Sequence, residues 1–316
     1  MIDVVALGEL LIDFATVGAD AEGYPTMAAH PGGAPANFLA ALTKFGARTA
    51  LIGKIGSDTF GKLLMGTLEK AGIDTRGMVI TDDVFTTLAF VTFDKCGDRE
   101  FAFSRKPGAD TCLAFEDIDL SLIDEAKVFH FGTLSLTDEP ARSATYKVVE
   151  YAKSKGKLIT YDPNLRKPLW RDLEEAKKQL LWGLAQADVV KISDEEVEFL
   201  FGMGVAEGAK HILDHYGVKL VFVTCGAGGC FFKNAVTEGH VPSLSAIHVI
   251  DTTGAGDIFG GSAVWKLLQL EKAPETLTDV ELRDLVAFAC ISAGLSTTKP
   301  GGISSVPALT QIEKYL

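Results

Sequence analysis

The chain has 316 residues, 47% of them hydrophobic and 23% charged, and its 42 acidic and 30 basic side chains give a net charge of −12. This length and composition predict a globular protein with a sizeable core. The acidic balance argues against a nucleic acid or an anionic membrane as the main partner, so a bound phosphate would need local donors and a metal ion.

The sequence also predicts a cytosolic protein. No run reaches the roughly 18 uninterrupted apolar residues of a membrane span, and the N-terminus lacks a basic region and a small-residue cleavage site. The cysteines are odd in number and form no CxxC pair, which is typical of reduced thiols. They are Cys96, Cys112, Cys225, Cys230 and Cys290.

The first elements place polar groups beyond a short strand. The apolar run Val4 to Leu7 is typical of a buried parallel strand, and Asp13 follows it on the side where open α/β sheets bind ligands. Gly32 and Gly33 then precede a helix that runs to about residue 44, and Asn37 lies one turn into it. The glycines permit close approach of a ligand, and the Asn37 amide suits a sugar hydroxyl, although an ordinary glycine loop before a helix would look the same.

Two β-prone runs, 86–93 and 99–103, are joined by residues 94–98 in a hairpin pattern. A hairpin does not fit a doubly wound core, so we expect a small sheet that projects over the active face as a lid, built from excursions at approximately 10–31 and 84–108. Arg105 follows the hairpin and could bind substrate, or lie in a solvated turn. The exposed edge of the lid could pair with a second copy in a homodimer.

The other predicted elements alternate. Strands are expected at 49–52, 128–131, 158–161, 188–192 and 219–224, with shorter antiparallel strands at 230–233, 236–240 and 247–250. Helices are expected at 58–71, 139–155, 172–186, 194–216 with a break near 202–204, 258–270 and 282–297. The alternation predicts an α/β fold with a doubly wound, mostly parallel sheet and helices on both faces, and 1–316 is expected to form a single domain.

The run Asp251 to Asp257, with the sequence DTTGAGD, precedes a helix. Gly254 and Gly256 let backbone N–H groups come close to a ligand, and a helix N-terminus favours an anion such as phosphate. Asp257 would repel that anion unless its carboxylate faces a hydroxyl that is about to lose a proton. The run therefore predicts a phosphoryl-transfer site, with a capped turn as the alternative.

Three further turns follow predicted strands. Asn164 and Arg166 follow 158–161, where Arg166 could clamp a phosphate. The turn at 193–196 contains three acidic residues, and a carboxylate there could hold Mg²⁺ through water or cap a helix. The glycine loop 224–229 could border a nucleotide, since it fits neither the dinucleotide fingerprint nor a P-loop.

Together these motifs resemble the ribokinase-like carbohydrate kinases, also called the phosphofructokinase B family. The likeness covers essentially the whole chain, and DTTGAGD matches the C-terminal signature of that family. The run FSRKPGAD, which contains Arg105, looks most like fructokinases. The resemblance implies ATP-dependent phosphorylation of a sugar hydroxymethyl group, most readily that of fructose.

The resemblance also assigns roles to residues. Asp257 matches the catalytic base, with Gly254, Ala255 and Gly256 as the anion hole and Arg166 beside it. Asp13, Gly32, Gly33, Asn37 and Arg105 match sugar-binding positions. Asn164, Lys191, Thr224, Gly226 and Gly229 match nucleotide-binding positions. Glu196 matches a Mg²⁺ position that acts through water, and Asp251 and Thr253 match a potassium site of some relatives.

One departure from the family pattern is Ser193, which stands where the NxxE motif has Asn, while Glu196 is retained. This departure leaves the details of Mg²⁺ coordination open. Alternative acceptors are 2-keto-3-deoxygluconate, ribose or a nucleoside, and a non-catalytic sugar-binding regulator is the alternative from another class.

Overall fold

In residues 1–93, 99–245 and 247–316, which are those that the computed structural model describes, nine strands form one large sheet. The strands of the molecule are β1 (Ile2–Leu7), β2 (Leu11–Ala19), β3 (Pro25–Gly32), β4 (Thr49–Gly56), β5 (Met78–Thr81), β6 (Leu88–Phe93), β7 (Arg99–Ser104), β8 (Ala126–Gly132), β9 (Leu158–Asp162), β10 (Val189–Ser193), β11 (Leu220–Thr224), β12 (Cys230–Asn234) and β13 (Glu238–Val241). The order in the large sheet is β13-β12-β11-β10-β9-β8-β1-β4-β5. All neighbours from β11 to β5 are parallel, and β12 and β13 are antiparallel. The predicted, mostly parallel sheet is confirmed.

Helices cover both faces of this sheet. They are α1 (Ala34–Lys44), α2 (Thr59–Ala71), α3 (Ser121–Glu125), α4 (Ala141–Ser154), α5 (Leu173–Leu184), α6 (Asp194–Phe201), α7 (Val205–Tyr216), α8 (Ala255–Leu270), α9 (Asp279–Ser296) and α10 (Leu309–Ile312). Successive side chains of a strand point to opposite faces. In β1, Val5 and Leu7 pack into a core with α3 to α7, while Val4 and Ala6 pack into a second core with α1, α2, α8 and α9.

Local sequence explains where several helices begin and end. The Asp58 carboxylate accepts hydrogen bonds from the N–H groups of Phe60 and Gly61 at the start of α2. The predicted break near 202–204 is confirmed, because α6 ends at Gly202 in the left-handed conformation (φ 64°), which glycine adopts at little cost.

Four strands of the described residues form a separate small sheet in the order β3-β2-β6-β7. Strands β2 and β6 are parallel, and the outer pairs are antiparallel. The predicted small sheet is therefore confirmed, whereas the predicted hairpin connection at 94–98 lies outside the described residues. That this sheet is a lid on a single domain stays a prediction.

The prediction of a strand at 247–250 is wrong. The N–H groups of Ile250 and Asp251 donate to the carbonyl of Thr297 after α9, and Val249 and Ile250 are exposed. β-branched residues predicted a strand here, but the segment has no neighbouring strand to pair with among the described residues. The turn before α8 therefore follows an irregular segment that is fixed to the end of α9.

Candidate active site

Loops from several elements meet at the carboxyl edge of the large sheet. A pocket there is lined by Glu9, Ala34, Pro35, Phe38, His130, Gly132, Thr133, Leu134, Asp162, Asn164 and Asp257. These residues come from the ends of β1, β8 and β9 and from the first turns of α1 and α8. The sequence predicted ligand groups at this edge, and the structure brings Asp257 and Asn164 together there.

The turn before α8 leaves backbone donors open. Gly254 is left-handed (φ 75°), and a Cβ on it would meet the Gly302 Cα at 2.9 Å and the Asn37 Nδ2 at 3.1 Å. The Ala255 N–H donates to the Thr252 carbonyl at 3.2 Å. Within the described residues, the N–H groups of Gly256 and Asp257 have no acceptor. Because helix N-termini carry partial positive charge, these two donors favour an anion.

Asp257 lies in the first turn of α8 and is buried, with 8% of its surface exposed. Burial raises the pKa of its carboxyl group, against the lowering effect of a hydrogen bond from Asn37. That bond runs from the Asn37 Nδ2 to the Asp257 Oδ2 at 2.9 Å. The Asn37 Oδ1 is buried and has no partner in the described part of the chain. Asn37 therefore orients the carboxylate and keeps one acceptor for a ligand.

Asp13 in β2 faces the same region. Burial raises the pKa of its carboxyl group to about 6; the charge of Arg166 opposes this rise, and those of Asp257 and Asp251 add to it. A Cβ on Gly32 would collide with the Asp13 carboxylate, and one on Gly33 would collide with the Glu9 carbonyl. Glycine is thus required at position 33, where φ is 119° and a side chain would meet the backbone of the turn after β1, whereas Gly32 lies directly against the end of the Asp13 side chain.

Lys191 supplies a positive charge beside the start of α8. Its Nζ donates to the Asp162 Oδ2 at 3.0 Å, and a Cβ on Gly256 would lie 2.9 Å from the same Nζ. Burial lowers the pKa of Lys191, but the charges of Asp162, Glu196 and Asp257 outweigh burial and raise it. Burial raises the pKa of Asp162 to about 6, even with Lys191 beside it. An ammonium group against a helix N-terminus is unfavourable unless anions lie near it, and here the carboxylates of Asp162, Glu196 and Asp257 supply the negative charge.

The loop after β9 holds Asn164 and Arg166. Asn164 is buried in a left-handed conformation (φ 45°), with its N–H bonded to the Asp162 Oδ1 at 3.1 Å. Arg166 is exposed, and its positive charge opposes the larger effect of burial, which raises the pKa of Asp13 and that of Asp257. Its guanidinium group is therefore near the pocket and free of close packing.

Glu196 forms a closed cap on α6. Its Oε2 accepts from the Ser193 N–H at 2.8 Å, its Oε1 accepts from the Leu165 N–H at 2.7 Å, and the Ser193 Oγ accepts from the Glu196 N–H at 3.1 Å. The capping interpretation of this acid is confirmed. A role with Mg²⁺ remains compatible, since carboxylate oxygens that accept one N–H keep further lone pairs.

The predicted nucleotide loop follows β11 at the same sheet edge. The Thr224 hydroxyl donates to the Ile192 carbonyl at 3.4 Å, and residues 226–228 are exposed. Gly229 is left-handed (φ 95°), and a Cβ there would collide with the Val241 carbonyl. Gly226 (φ 51°) also needs the freedom of glycine. The loop is open to solvent and does not line the pocket around Asp257.

Arg105 is not open to the pocket. Its side chain is 2% exposed and forms an ion pair with Asp110 at 2.6 Å.

The Asp251 carboxylate holds the turn before α8. Its Oδ1 accepts from the Thr253 N–H at 2.9 Å and from the Thr253 Oγ1 at 2.7 Å, and its Oδ2 accepts from the Gly301 N–H at 2.9 Å. These contacts fix the turn before α8 to the loop after α9.

Sequence reasoning missed three titratable residues of the pocket. Glu9 is buried, its Oε1 accepts from the Ala34 N–H at 2.7 Å, and burial raises its pKa to about 7. His130 stacks on Phe38 at 3.8 Å, and burial lowers its pKa to about 3. Asp162, the partner of Lys191, ends β9, and its position beside Asn164 was the signal that could have identified it.

Comparisons with known proteins agree with this geometry. A model of the pfkB family of carbohydrate kinases matches residues 1–309. Fructokinase-2 of Solanum lycopersicum is 41% identical over 311 residues, which cover 98% of this chain and 94% of that protein.

Solved structures are similar over the whole length. A fructokinase from Xylella fastidiosa with bound ATP has a TM-score of 0.90 at 29% identity, covering 98% of this chain and 97% of that one. A double mutant of the fructokinase from Vibrio cholerae O395, bound to fructose, ADP and potassium, has a TM-score of 0.88 at 30% identity, covering 100% and 98%. These similarities confirm the fold class that the sequence predicted.

Proposed function

Because the chain belongs to the pfkB family of carbohydrate kinases, we propose that it is a fructokinase, which transfers the terminal phosphoryl group of ATP to the 6-hydroxymethyl group of fructose. The observation that carries this proposal is the start of α8. There the buried Asp257 carboxylate, held by Asn37, lies beside two N–H groups that have no acceptor within the described residues.

The first step of the proposed reaction concerns the proton. In the proposed reaction the fructose hydroxyl gives its proton to Asp257 while its oxygen forms a bond to the phosphorus and the bond to the ADP oxygen breaks. Burial keeps the pKa of Asp257 above that of an ordinary aspartate, which makes the carboxylate a better base.

The second step concerns charge on the transferred group. Phosphoryl transfer depends mainly on positioning and on groups that stabilise the equatorial oxygens. The Lys191 ammonium group lies close to Gly256, whose N–H group and that of Asp257 are open within the described residues. Arg166 is exposed nearby, and its guanidinium group can approach a phosphate as a bidentate donor.

The third step concerns the metal ions. Mg²⁺, when bound, neutralises phosphate charge, and it is usually held by one or two carboxylates together with substrate phosphates and waters. The Glu196 carboxylate, fixed by Ser193 and Leu165, is the group that would hold it through water. Potassium is a further part of the proposal, with the oxygens of Asp251 and Thr253 as a donor set that suits a hard cation.

The remaining assignments are part of the same proposal. Asp13, Gly32, Gly33 and Asn37 would contact the sugar, and Asn164, Thr224, Gly226 and Gly229 would contact the nucleotide. The small sheet would close as a lid and exclude water. Burial of Arg105 against Asp110 removes one of the two cations, Arg105 and Arg166, that together would suit an acid sugar such as 2-keto-3-deoxygluconate.

The proposal also includes a homodimer and a cytosolic location. Val17 and Tyr24 of the small-sheet region are 61% and 69% exposed, which supports a homodimer through the lid. Light scattering would measure the mass in solution.

None of the described helices is long and apolar enough to cross a membrane. Cys112, Cys225, Cys230 and Cys290 are free thiols, which supports a cytosolic location.

An acceptor panel tests the proposal. Fructose, ribose, 2-keto-3-deoxygluconate and a nucleoside are compared in an ADP-release assay, and the phosphorylated product is identified by mass spectrometry. We expect fructose to give the highest kcat/KM, with one sugar phosphate formed for each ADP. A higher kcat/KM with another acceptor, or ADP release without any sugar phosphate, would contradict the assignment.

A further inference from the structure

We propose that Arg105 and Asp110 form a latch that fixes the base of the small sheet to the large sheet, so that Arg105 positions the lid and does not itself bind the sugar. This inference rests on the proposed function, since a positioned lid matters only if a sugar binds beneath it.

The first observation is burial. The side chains of Arg105 and Asp110 are 2% and 3% exposed. The Arg105 Nε donates to the Asp110 Oδ2 at 2.8 Å, and Nη2 lies 2.6 Å from the same carboxylate. A guanidinium group that is enclosed in this way and paired on one edge has little access to a ligand in the pocket.

The second observation is what the pair connects. The chain enters the small sheet before β6 through Thr87 and leaves it after β7 through Arg105. The Thr87 hydroxyl donates to the Asp110 Oδ1, and the Ala109 N–H donates to the Phe85 carbonyl at 3.0 Å. The segment that enters the small sheet and the segment that leaves it are thus both hydrogen-bonded to the Asp110 carboxylate, and they are also hydrogen-bonded to each other.

The third observation is the anchor on the large sheet. The Arg105 Nη1 donates to the Thr137 Oγ1 at 2.7 Å, and Nη2 donates to the Leu134 carbonyl at 2.8 Å. Both acceptors lie in the loop after β8, and Leu134 lines the pocket. The guanidinium group therefore bridges the lid base and a wall of the pocket.

The fourth observation is tight packing at Gly108. A Cβ on Gly108 would collide with the Thr87 Oγ1 and would lie 3.0 Å from both the Arg105 Cγ and the Asp110 Oδ1. The base of the small sheet has one close-packed arrangement here, as expected where two segments must keep a fixed relation.

The test uses variants that leave Arg105 in place. Asp110→Asn removes the charge of its partner, and Thr137→Val removes one acceptor in the loop after β8 with little change of shape. The matched control is Arg142→Ala. Arg142 donates to the carbonyls of Leu136 and Thr137 in the same loop and to Glu175 of α5. Within the described residues, its hydrogen bonds do not reach the segments at the base of the small sheet.

Two measurements are made on the intact enzyme. Amide hydrogen exchange in β6 and β7 is measured without ligands, and KM for fructose, KM for ATP and kcat are measured by steady-state kinetics. We expect both latch variants to exchange about tenfold faster in β6 and β7 and to raise KM for fructose by about tenfold, since a lost hydrogen bond to a charged group is worth about that factor. KM for ATP should stay near that of the wild type, and Arg142→Ala should leave exchange in β6 and β7 unchanged.

The outcomes separate the latch from the function. Unchanged exchange in both latch variants would overturn the latch, as would an equal increase in Arg142→Ala. A wild-type enzyme that forms no fructose phosphate would refute the proposed function, while the exchange measurement would still decide the latch.

Discussion

Helices α6 and α8 both carry an acid at the third position of the first turn, Glu196 and Asp257, yet the two helix starts are used differently. At α6 the acid and Ser193 bond reciprocally to each other's N–H groups, and the cap is closed. At α8 there is no side-chain cap, and Gly254 takes the cap position. The Asp257 carboxylate instead accepts from Asn37 of another helix.

This difference supports Asp257, and not Glu196, as the acid that takes part in the proposed chemistry. The first N–H groups of a helix have no partner within the helix, so a cap normally satisfies them. Where the cap is open and the site is buried, the donors and the acid can act on a ligand. A closed cap holds its acid in a fixed place, which suits an acid that acts through water on a metal ion.

The largest effect is expected for Asp257→Asn, which keeps the shape of the open helix start but removes the proposed base. A positioned base contributes about 10²- to 10⁴-fold, so kcat should fall at least about 10²-fold. Affinities for ATP and fructose, measured by calorimetry, should stay within a few fold of the wild type. Near-normal turnover in this variant would refute the role of Asp257.

The next effect is expected for Gly254→Ala, compared with Gly202→Ala at the end of α6. Both glycines are left-handed, but a Cβ on Gly202 meets nothing within 4 Å, whereas one on Gly254 meets Gly302 and Asn37. Gly202→Ala should cost only the conformational strain of about 1–3 kcal/mol, read from urea unfolding. Gly254→Ala should also lower kcat by about 10²-fold, the usual effect of misplacing a site by 1 Å. Equal kinetics in the two variants would show that crowding at Gly254 is unimportant.

A smaller effect is expected for Asn37→Ala on the pH profile. The hydrogen bond from Asn37 lowers the pKa of Asp257, so its loss should raise that pKa further. Because the base acts when deprotonated, activity is lost as the pH falls through this pKa, and the acidic limb of kcat should move to higher pH. The control is Asn234→Ala, since Asn234 is also buried but donates to the carbonyls of Pro274 and Leu277. A limb that stays in place in Asn37→Ala would argue against this coupling.

The smallest effect is expected for Ser193→Ala. Loss of a helix cap costs about 1 kcal/mol, which urea unfolding would detect, while kcat at saturating Mg²⁺ should stay near that of the wild type. Ser193→Asn should restore the stability, because asparagine caps equally well. A large loss of kcat in Ser193→Ala would mean that the hydroxyl acts at the metal site and not only in the cap.

The sequence by itself determined the parallel sheet, the break between α6 and α7, and the glycine turn before Asp257. These features depend on local preferences: apolar runs bounded by glycine, helix periodicity and the freedom of Gly202 and Gly254 to take positive φ.

Only the tertiary structure decided the partners of these elements. Residues 247–250 have β-prone side chains, but whether they join a sheet depends on a neighbouring strand. Here the N–H groups of Ile250 and Asp251 donate to the carbonyl of Thr297 in place of such a strand. The sequence likewise could not show that Arg105 pairs with Asp110 or that Lys191 lies against Gly256, because such contacts depend on where distant segments meet. Burial, which raises the pKa of Asp257 and that of Glu9, is a property of the assembled fold and has no local signature in the chain.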